Sequence, residues 1–298
     1  MYNRKQFIKL SSGAVLGMAL GSCAPKPSAS GATGVTAAAN TGTIKNPGIQ
    51  LYTLRDDLPK DPKGILRRLA EFGYKEIESY EGKDGMYWGM GNTGFKNYMD
   101  ELGMKMVSSH CNFRQDFEKK AADAAAIGVK YLICPHIGRK NSLDEYKKIA
   151  GEFNNAAEIC RKNGIRFAYH NHDYSFRLQD GQYPQDILMK EANHANMDFE
   201  MDIYWVVAAE EDPVAWLKKY PGRFTLSHVK DRKKGIAPKP GEPNLSCIVG
   251  TGSIDFVRIL GAGKKLGMKH YILEQEAYEK APIDCVKEGA DYLNTVKF

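Results

Sequence analysis

Short β-rich runs alternate with amphipathic helical segments along the whole chain from residue 47 to residue 298. The runs that we predict as strands cover residues 48–54, 74–80, 105–111, 131–137, 166–172, 197–205, 224–231 and 270–276. An unbroken order of strand, helix and strand is typical of a parallel sheet, and eight such units in about 250 residues have the size of a closed barrel. We therefore predict an α/β fold, a (β/α)₈ TIM barrel, in which residues 47–298 form one catalytic domain. An open doubly wound sheet is the alternative, but no Gly-x-Gly-x-x-Gly motif follows the first run.

Residues 1–23 have the pattern of a lipoprotein signal peptide. Three basic residues, Arg4, Lys5 and Lys9, precede an apolar stretch over residues 14–20, which is too short to span a bilayer but suits a signal h-region. The following LGSC sequence resembles a lipobox, in which Cys23 is lipidated and becomes the new N-terminus. We therefore expect an exported lipoprotein that faces the periplasm or cell envelope and touches the membrane only through this anchor. A twin-arginine route stays open, because Lys5 stands where that signal has its second arginine.

Residues 24–46 are rich in Ala, Gly, Ser, Thr and Pro and contain almost no large apolar side chain. Such a segment buries too little surface to offset the entropy lost on ordering. We predict that it is a disordered tether between the lipid anchor and the barrel.

Charge and cysteine content argue against two classes of protein. Removal of residues 1–22 takes away three basic residues and no acidic one, so the formal charge falls from +6 to +3. A charge this small provides no basic surface for nucleic acid, and we expect no nucleic-acid partner. The cysteines after Cys23 are odd in number and include no CxxC pair, which does not fit a disulfide framework.

Polar residues collect at the predicted C-terminal ends of the strands, where barrel enzymes place their active sites. They are His110, His136, His170, His172, Glu200, Asp202, His228, Lys230, Glu274 and Glu276. Residues two apart in a strand share a face, so several of these side chains should converge. A set of imidazoles and carboxylates favours Mn, Zn, Fe or Co over Ca. We predict one such divalent metal ion at the mouth of the barrel.

Five motifs occur in an order and spacing that resemble a known family. They are GIQLYTLR at 48–55, YHNHD at 169–173, MDIYW at 201–205, HVKD at 228–231 and LEQE at 273–276. Together they resemble the sugar phosphate isomerase/epimerase family of the xylose-isomerase-like TIM barrels over residues 47–298. The resemblance implies metal ligands at the ends of strands five to eight. By position these map onto His170, Asp202, His228 and Glu274, with Glu200 and His172 as runners-up.

Two positions depart from the family pattern. Many sugar epimerases of this fold have a glutamate where this chain has His170, and their two glutamates act on opposite faces of the sugar. Many members with the His-Asn-His-Asp motif also have a glutamate where this chain has Ser175. The resemblance therefore does not extend to a symmetric two-glutamate epimerisation.

The family implies a metal-dependent sugar isomerase or epimerase that removes a proton next to a carbonyl. The resulting enediolate would be stabilised by the metal. His172 and Glu274 are the candidate bases, and Lys230 is the third predicted catalytic residue. Residues predicted to bind substrate are His110, His136, Trp205 and Glu276, and Trp205 is equally well explained by packing. Because sugar phosphates are chiefly cytosolic, export favours an unphosphorylated sugar or a glycoside as the partner.

Three alternatives stay open. Opening of 3-keto-glycosides by β-elimination shares the first proton abstraction and is the runner-up. A non-catalytic sugar-binding lipoprotein would use the same rim without turnover. The barrel also resembles metal-dependent apurinic endonucleases, but these bind three metals and have a histidine where this chain has Trp205. The oligomeric state, including a homo-oligomer, is left open.

Overall fold

A computed structural model describes residues 42–298. The predicted signal peptide, Cys23 and most of the predicted tether lie outside the described residues. Within the described part, no helix is long and apolar enough to cross a membrane. Gly42 and Phe298 exchange two backbone hydrogen bonds, of 2.6 and 2.8 Å, and the side chain of Ile44 is buried. The chain therefore packs against the barrel before residue 47, where we had placed the end of the tether.

Eight parallel strands close into a barrel in their order along the chain. They are β1 (Pro47–Gln50), β2 (Glu76–Tyr80), β3 (Lys105–His110), β4 (Tyr131–Cys134), β5 (Arg166–His170), β6 (Met197–Asp202), β7 (Phe224–Val229) and β8 (His270–Leu273). Closure occurs where β8 pairs with β1, with Gly48 opposite Ile272. The predicted closed (β/α)₈ barrel is confirmed.

Helices follow the strands and cover the outside of the barrel. In the described residues they are α1 (Pro62–Glu71), α2 (Gly91–Glu101), α3 (Phe117–Ala126), α4 (Leu143–Lys162), α5 (Pro184–Glu191), α6 (Ile203–Ala208), α7 (Pro213–Lys219), α8 (Phe256–Lys265) and α9 (Pro282–Thr295). A short antiparallel pair, Asp231–Arg232 with Ser246–Cys247, lies between β7 and α8. The start of α1 shows why the sequence folds in this way locally, since Asp61 accepts a hydrogen bond from Gly64 N at 2.9 Å and Pro62 is the first helical residue.

Most of the predicted strands run past the C-terminal ends of the observed ones. After β1 and β5 the chain turns into the 3₁₀ helices Leu51–Leu54 and Asp173–Phe176, and after β6 it enters α6 at once. The turn after β6 forms because Asp202 caps α6 by accepting a hydrogen bond from Trp205 N at 3.1 Å. His172, Trp205, Lys230, Glu274 and Glu276 therefore lie beyond the strand ends, where the two-residue periodicity of a strand no longer sets their direction.

The lower part of the barrel interior is apolar. A separate buried cluster contains Val107, Tyr131, Ile133, Ala168, Leu226 and Ile272. Ala168 and Leu226 lie two residues before His170 and His228, so in each strand the apolar residue and the imidazole point to the same side. The apolar layer therefore forms the floor beneath the polar residues at the mouth.

The helix α9 packs closely against β8, because a Cβ at Gly289 would lie 2.2 Å from Leu273 Cδ1. We expect Gly289→Ala to lower the free energy of unfolding by about 1–3 kcal/mol through overpacking. Gly151 in α4 is the matched control, since it is exposed and an added Cβ there meets nothing within 4 Å. Gly151→Ala should raise the free energy of unfolding by about 0.5–1 kcal/mol. Urea unfolding of both variants tests the packing, and equal effects would contradict it.

Candidate metal centre and active site

Four side chains meet at the mouth of the barrel: His170, Asp202, His228 and Glu274. One nitrogen or oxygen atom of each lies within 4.8 Å of those of the others, and all four residues are buried. His170 Nε2 is 3.1 Å from His228 Nδ1 and 3.4 Å from Asp202 Oδ2, and His228 Nδ1 is 3.2 Å from Glu274 Oε2. The structure thus brings together the four residues predicted as metal ligands, one from the end of each of the last four strands.

Asp202 is placed in this centre by strand register and by the start of α6. It pairs with His228 across β6 and β7. Its Oδ1 caps α6 through Trp205 N, whereas Oδ2 is buried and has no hydrogen-bond partner among the described residues. A buried carboxylate oxygen without a partner is unfavourable, and a cation bound among the four side chains would satisfy it.

The outer ring nitrogens of the two histidines are held by other residues. His170 Nδ1 donates to the Pro135 carbonyl at 3.1 Å, and His228 Nε2 donates to Glu78 Oε1 at 2.7 Å. Each hydrogen bond turns the opposite ring nitrogen, His170 Nε2 or His228 Nδ1, towards the centre. Hydrogen bonds from the ring nitrogen that does not face the metal orient imidazole ligands in metal sites. The donor set and its outer partners therefore fit a divalent ion of the Mn, Zn, Fe or Co type.

The electrostatics of the centre also favour a positive charge. Burial lowers the pKa of His228, but the carboxylates of Glu200, Glu274 and Glu78 outweigh it and raise that pKa well above its ordinary value. Burial lowers the pKa of His170 well below its ordinary value, and the neighbouring His228 lowers it further. The carboxylates thus stabilise a cation between the two rings, either as a proton on His228 Nδ1 or as a metal ion in its place.

Glu78 in β2 is a residue of the site that our sequence analysis missed. Besides the bond from His228, its Oε1 accepts one from Gln50 Nε2 at 2.7 Å, and its Oε2 accepts one from Ser108 Oγ at 2.6 Å. The signal in the sequence that could have identified Glu78 as a site residue is a glutamate within a strand that is otherwise expected to be buried. The predicted site residues lie at the strand ends, whereas Glu78 lies two residues before the end of β2, below the rim.

Glu200, the runner-up ligand, belongs to a deeper cluster with Glu78, His110 and His228. Its Oε2 is 2.9 Å from His110 Nε2 and 3.3 Å from His228 Nε2. Burial, together with Glu78, raises the pKa of Glu200 to about 7. Burial opposes protonation of His110, but Glu78 and Glu200 raise its pKa to about 9. Glu200 precedes Asp202 by two residues and therefore lies one layer further down the barrel.

His172 lies beside the four-residue centre and contacts two aromatic rings. Its ring stacks on Tyr174 (centroids 5.6 Å apart, planes at 3°) and on Trp205 (5.5 Å, 26°). Its Nδ1 is buried and has no hydrogen-bond partner among the described residues. Burial, with His170 and His136 nearby, lowers its pKa well below the ordinary value, so the ring is neutral.

Lys230 lies among three carboxylates. Its Nζ is 3.0 Å from Glu274 Oε2 and 3.6 Å from Asp202 Oδ2, and it also pairs with Glu276. Burial opposes its charge, but these carboxylates raise its pKa above the ordinary value. Lys230 is therefore a fixed cation at the edge of the centre, and Asn244 donates to Glu276 on its outer side.

A cavity of about 560 Å³ opens above the centre, a size typical of small-molecule sites. Eight of the predicted site residues line it: His110, His136, His170, His172, Trp205, Lys230, Glu274 and Glu276. All four residues predicted to bind substrate are in this group. Tyr52, Tyr80, Asn112 and Gln115 also line the cavity, and we had not predicted them.

Three residues of the sequence motifs, Asn171, Asp173 and Asp231, form hydrogen bonds with backbone groups of neighbouring segments. Asn171 bridges β5 and β6, because its side chain donates to Asp202 O at 3.1 Å and accepts from Asp202 N at 3.2 Å. Asp173 accepts from Gly241 N at 2.9 Å and pairs with Arg177. The carboxylate of Asp231 accepts from four backbone N–H groups, those of Arg232, Gly250, Gly252 and Ile254, at 2.8–3.2 Å.

Comparison with known proteins places this geometry in context. A family model described as a xylose isomerase-like TIM barrel matches residues 66–296. The structure of a sugar phosphate isomerase/epimerase from Parabacteroides distasonis superimposes with a TM-score of 0.72 at 28% identity, over 87% of this chain and 96% of that chain. An inosose dehydratase from Clostridium botulinum (strain Alaska E43 / Type E3) is 26% identical over 163 residues, which are 50% of this chain and 54% of that protein. The chain thus spans about half the length of this relative.

A third neighbour is the IOLI protein, whose structure contains a bound zinc atom. It superimposes with a TM-score of 0.69 at 16% identity, over 85% of this chain and 99% of that chain. At this identity the likeness shows a shared fold.

Proposed function

Because the chain belongs to the xylose isomerase-like TIM barrel family, we propose that it is a divalent-metal-dependent sugar isomerase or epimerase. The observation that carries this proposal is the convergence of His170, Asp202, His228 and Glu274, whose ligand atoms lie within 4.8 Å of one another and include an Asp202 oxygen without a hydrogen-bond partner among the described residues. These four side chains would hold one Mn, Zn, Fe or Co ion.

The proposed reaction begins with removal of a proton from the carbon next to a sugar carbonyl. A divalent ion held by the four side chains would polarise that carbonyl and stabilise the negative charge of the enediolate. His172 is the base that we propose, because it lines the cavity and its ring is neutral. Glu274, the other candidate, already contacts His228 Nδ1 and Lys230 Nζ. Lys230 would donate to a substrate hydroxyl or alkoxide at the edge of the centre.

We propose an unphosphorylated substrate. TIM barrels often bind phosphate in the loops after strands seven and eight, but here the N–H groups of Gly250 and Gly252 are taken by the Asp231 carboxylate. The described residues that line the cavity include one lysine and no arginine, and that lysine is already paired with carboxylates. Export through the segment ending at Cys23 is part of this proposal, since sugar phosphates are chiefly cytosolic.

Deuterium exchange tests the proposal directly. The full-length protein, loaded with Mn or Zn, would be incubated in D₂O with a panel of unphosphorylated ketoses and aldoses and followed by proton NMR. We expect deuterium at the carbon beside the carbonyl, together with an isomer or epimer, and loss of both after removal of the metal by a chelator. Absence of exchange throughout the panel, or turnover without exchange, would overturn the proposal.

A lyase is the second candidate, and the match to an inosose dehydratase favours it. β-Elimination from a keto-sugar or a 3-keto-glycoside begins with the same proton abstraction by His172, but the electron pair then expels water or an alcohol instead of being reprotonated. The same NMR experiment separates the two, because elimination removes the leaving group and produces an unsaturated ketone. That product without an isomer would assign the lyase.

A further inference from the structure

The cavity extends well beyond the four-residue centre. Tyr52 follows β1 and Tyr80 ends β2, and both side chains line the cavity. In a closed eight-stranded barrel, β1 and β2 lie across the mouth from β5 and β6, which carry His172 and Trp205 at their ends. The cavity therefore has aromatic walls on two opposite sides, with the centre between them.

We propose that the Tyr52–Tyr80 wall is a second subsite, which binds a neutral ring joined through a glycosidic bond to the sugar at the centre. The site then accepts glycosides whose reacting ring carries the carbonyl, in addition to free sugars. This inference rests on the proposed function only for placing the reacting sugar ring next to His170, Asp202, His228 and Glu274.

Tyr52 is exposed but firmly held. Tyr52 is 38% exposed, whereas most large apolar residues in the described part of the chain are less exposed. Arg55 Cζ lies 4.9 Å from the centroid of the Tyr52 ring, and the Tyr80 ring meets the Tyr52 ring edge to face with centroids 5.2 Å apart. Arg55 is itself fixed by Tyr278 Oη at 3.0 Å and Glu276 O at 3.2 Å. A ring already ordered in this way loses little entropy when a ligand packs on it.

Tyr80 is supported from behind by Trp88. The two rings meet edge to face with centroids 4.9 Å apart, and Trp88 Nε1 donates to Ser79 Oγ at 3.1 Å. Gly82 leaves room for the indole, because a Cβ there would lie 2.8 Å from Trp88 Cη2. The aromatic wall is therefore built as one packed unit before any ligand arrives.

The polar groups around this wall suit a neutral ring. Asn112 and Gln115 are exposed amides on the cavity lining, able to donate to and accept from hydroxyl groups. The nearby carboxylate of Glu81 is paired with Lys120 at 2.6 Å and accepts from Asn112 N at 2.8 Å. The charge of Glu81 is therefore compensated by Lys120.

Paired glycosides that differ only in the second ring test the subsite. Binding of methyl and phenyl β-D-glucosides, and of methyl and phenyl β-D-galactosides, would be measured by calorimetry on the full-length, metal-loaded protein. For at least one sugar we expect the phenyl glycoside to bind about five- to tenfold more tightly than the methyl glycoside, the usual contribution of an aromatic contact. Tyr52→Ala should abolish this advantage and leave methyl glycoside affinity unchanged, whereas Tyr52→Phe should retain it.

Three results of the glycoside experiment would contradict the second subsite. Equal affinities within every pair, or a phenyl advantage that survives Tyr52→Ala, would overturn the subsite, as would failure of all four glycosides to bind. None of these outcomes bears on the isomerase proposal, which is tested separately by deuterium exchange on free sugars. Val257→Ala, on the exposed surface of α8, controls for non-specific apolar effects and should change no affinity.

Discussion

Replacing Glu274 with glutamine is expected to weaken binding of the divalent ion by about a hundredfold or more while leaving the barrel folded. Loss of even an outer partner of a metal ligand costs about 10–100-fold in affinity, and Glu274 is a direct member of the four-residue centre. Glutamine keeps the size of the side chain but removes the negative charge. Zinc or manganese titration calorimetry on the full-length protein, after chelation and dialysis, gives the affinity, and circular dichroism reports the fold.

Glu276→Gln is the matched control for this prediction. Glu276 is an acid two residues away that also pairs with Lys230 and receives a hydrogen bond from Asn244, but it lies outside the four-residue centre. Its replacement should change metal affinity less than tenfold. Equal loss in the two variants would show that general negative charge, not coordination by Glu274, retains the ion. Unchanged affinity in Glu274→Gln would refute the ligand assignment.

Replacing His172 with glutamine is expected to slow deuterium exchange next to the sugar carbonyl by about 10²–10⁴-fold without changing metal affinity. His172 lies outside the ligand set, yet it lines the cavity and its buried Nδ1 is free of partners among the described residues. Glutamine preserves a polar side chain beside Tyr174 and Trp205 but cannot take up a proton. Exchange rates from proton NMR in D₂O, measured at saturating metal, check this result.

His136→Gln provides the comparison for the base. His136 also lines the cavity, and its ring meets that of His172 edge to face with centroids 4.8 Å apart. His136 is exposed, so we expect His136→Gln to slow deuterium exchange less than tenfold. An exchange rate in His172→Gln close to that of the unmodified protein would exclude His172 as the base and leave Glu274 in that role.

The barrel and the group of four converging side chains could be predicted from the sequence because both arise from local patterns. Each strand and each helix has its own periodicity over a few residues, and the parallel order follows from their alternation. Once the strands are parallel and closed, their C-terminal ends must meet at one rim. Residues at the ends of β5 to β8, such as His170 and Glu274, are then brought together without any knowledge of their contacts. Where side chains beyond the strand ends would point could not be predicted, since turns such as the one capped by Asp202 break the strand periodicity.

The tertiary structure decided how each converging side chain is held. Glu78 meets His228 across 150 residues of sequence, and its contact turns one particular ring nitrogen towards the centre. Asp231 accepts hydrogen bonds from the N–H groups of Gly250 and Gly252, about twenty residues further along the chain. Tyr52 and Tyr80 become one wall only when β1 and β2 pair. Such contacts depend on distance and orientation between residues far apart in the chain, and these are set by packing of the whole barrel, which no local pattern encodes.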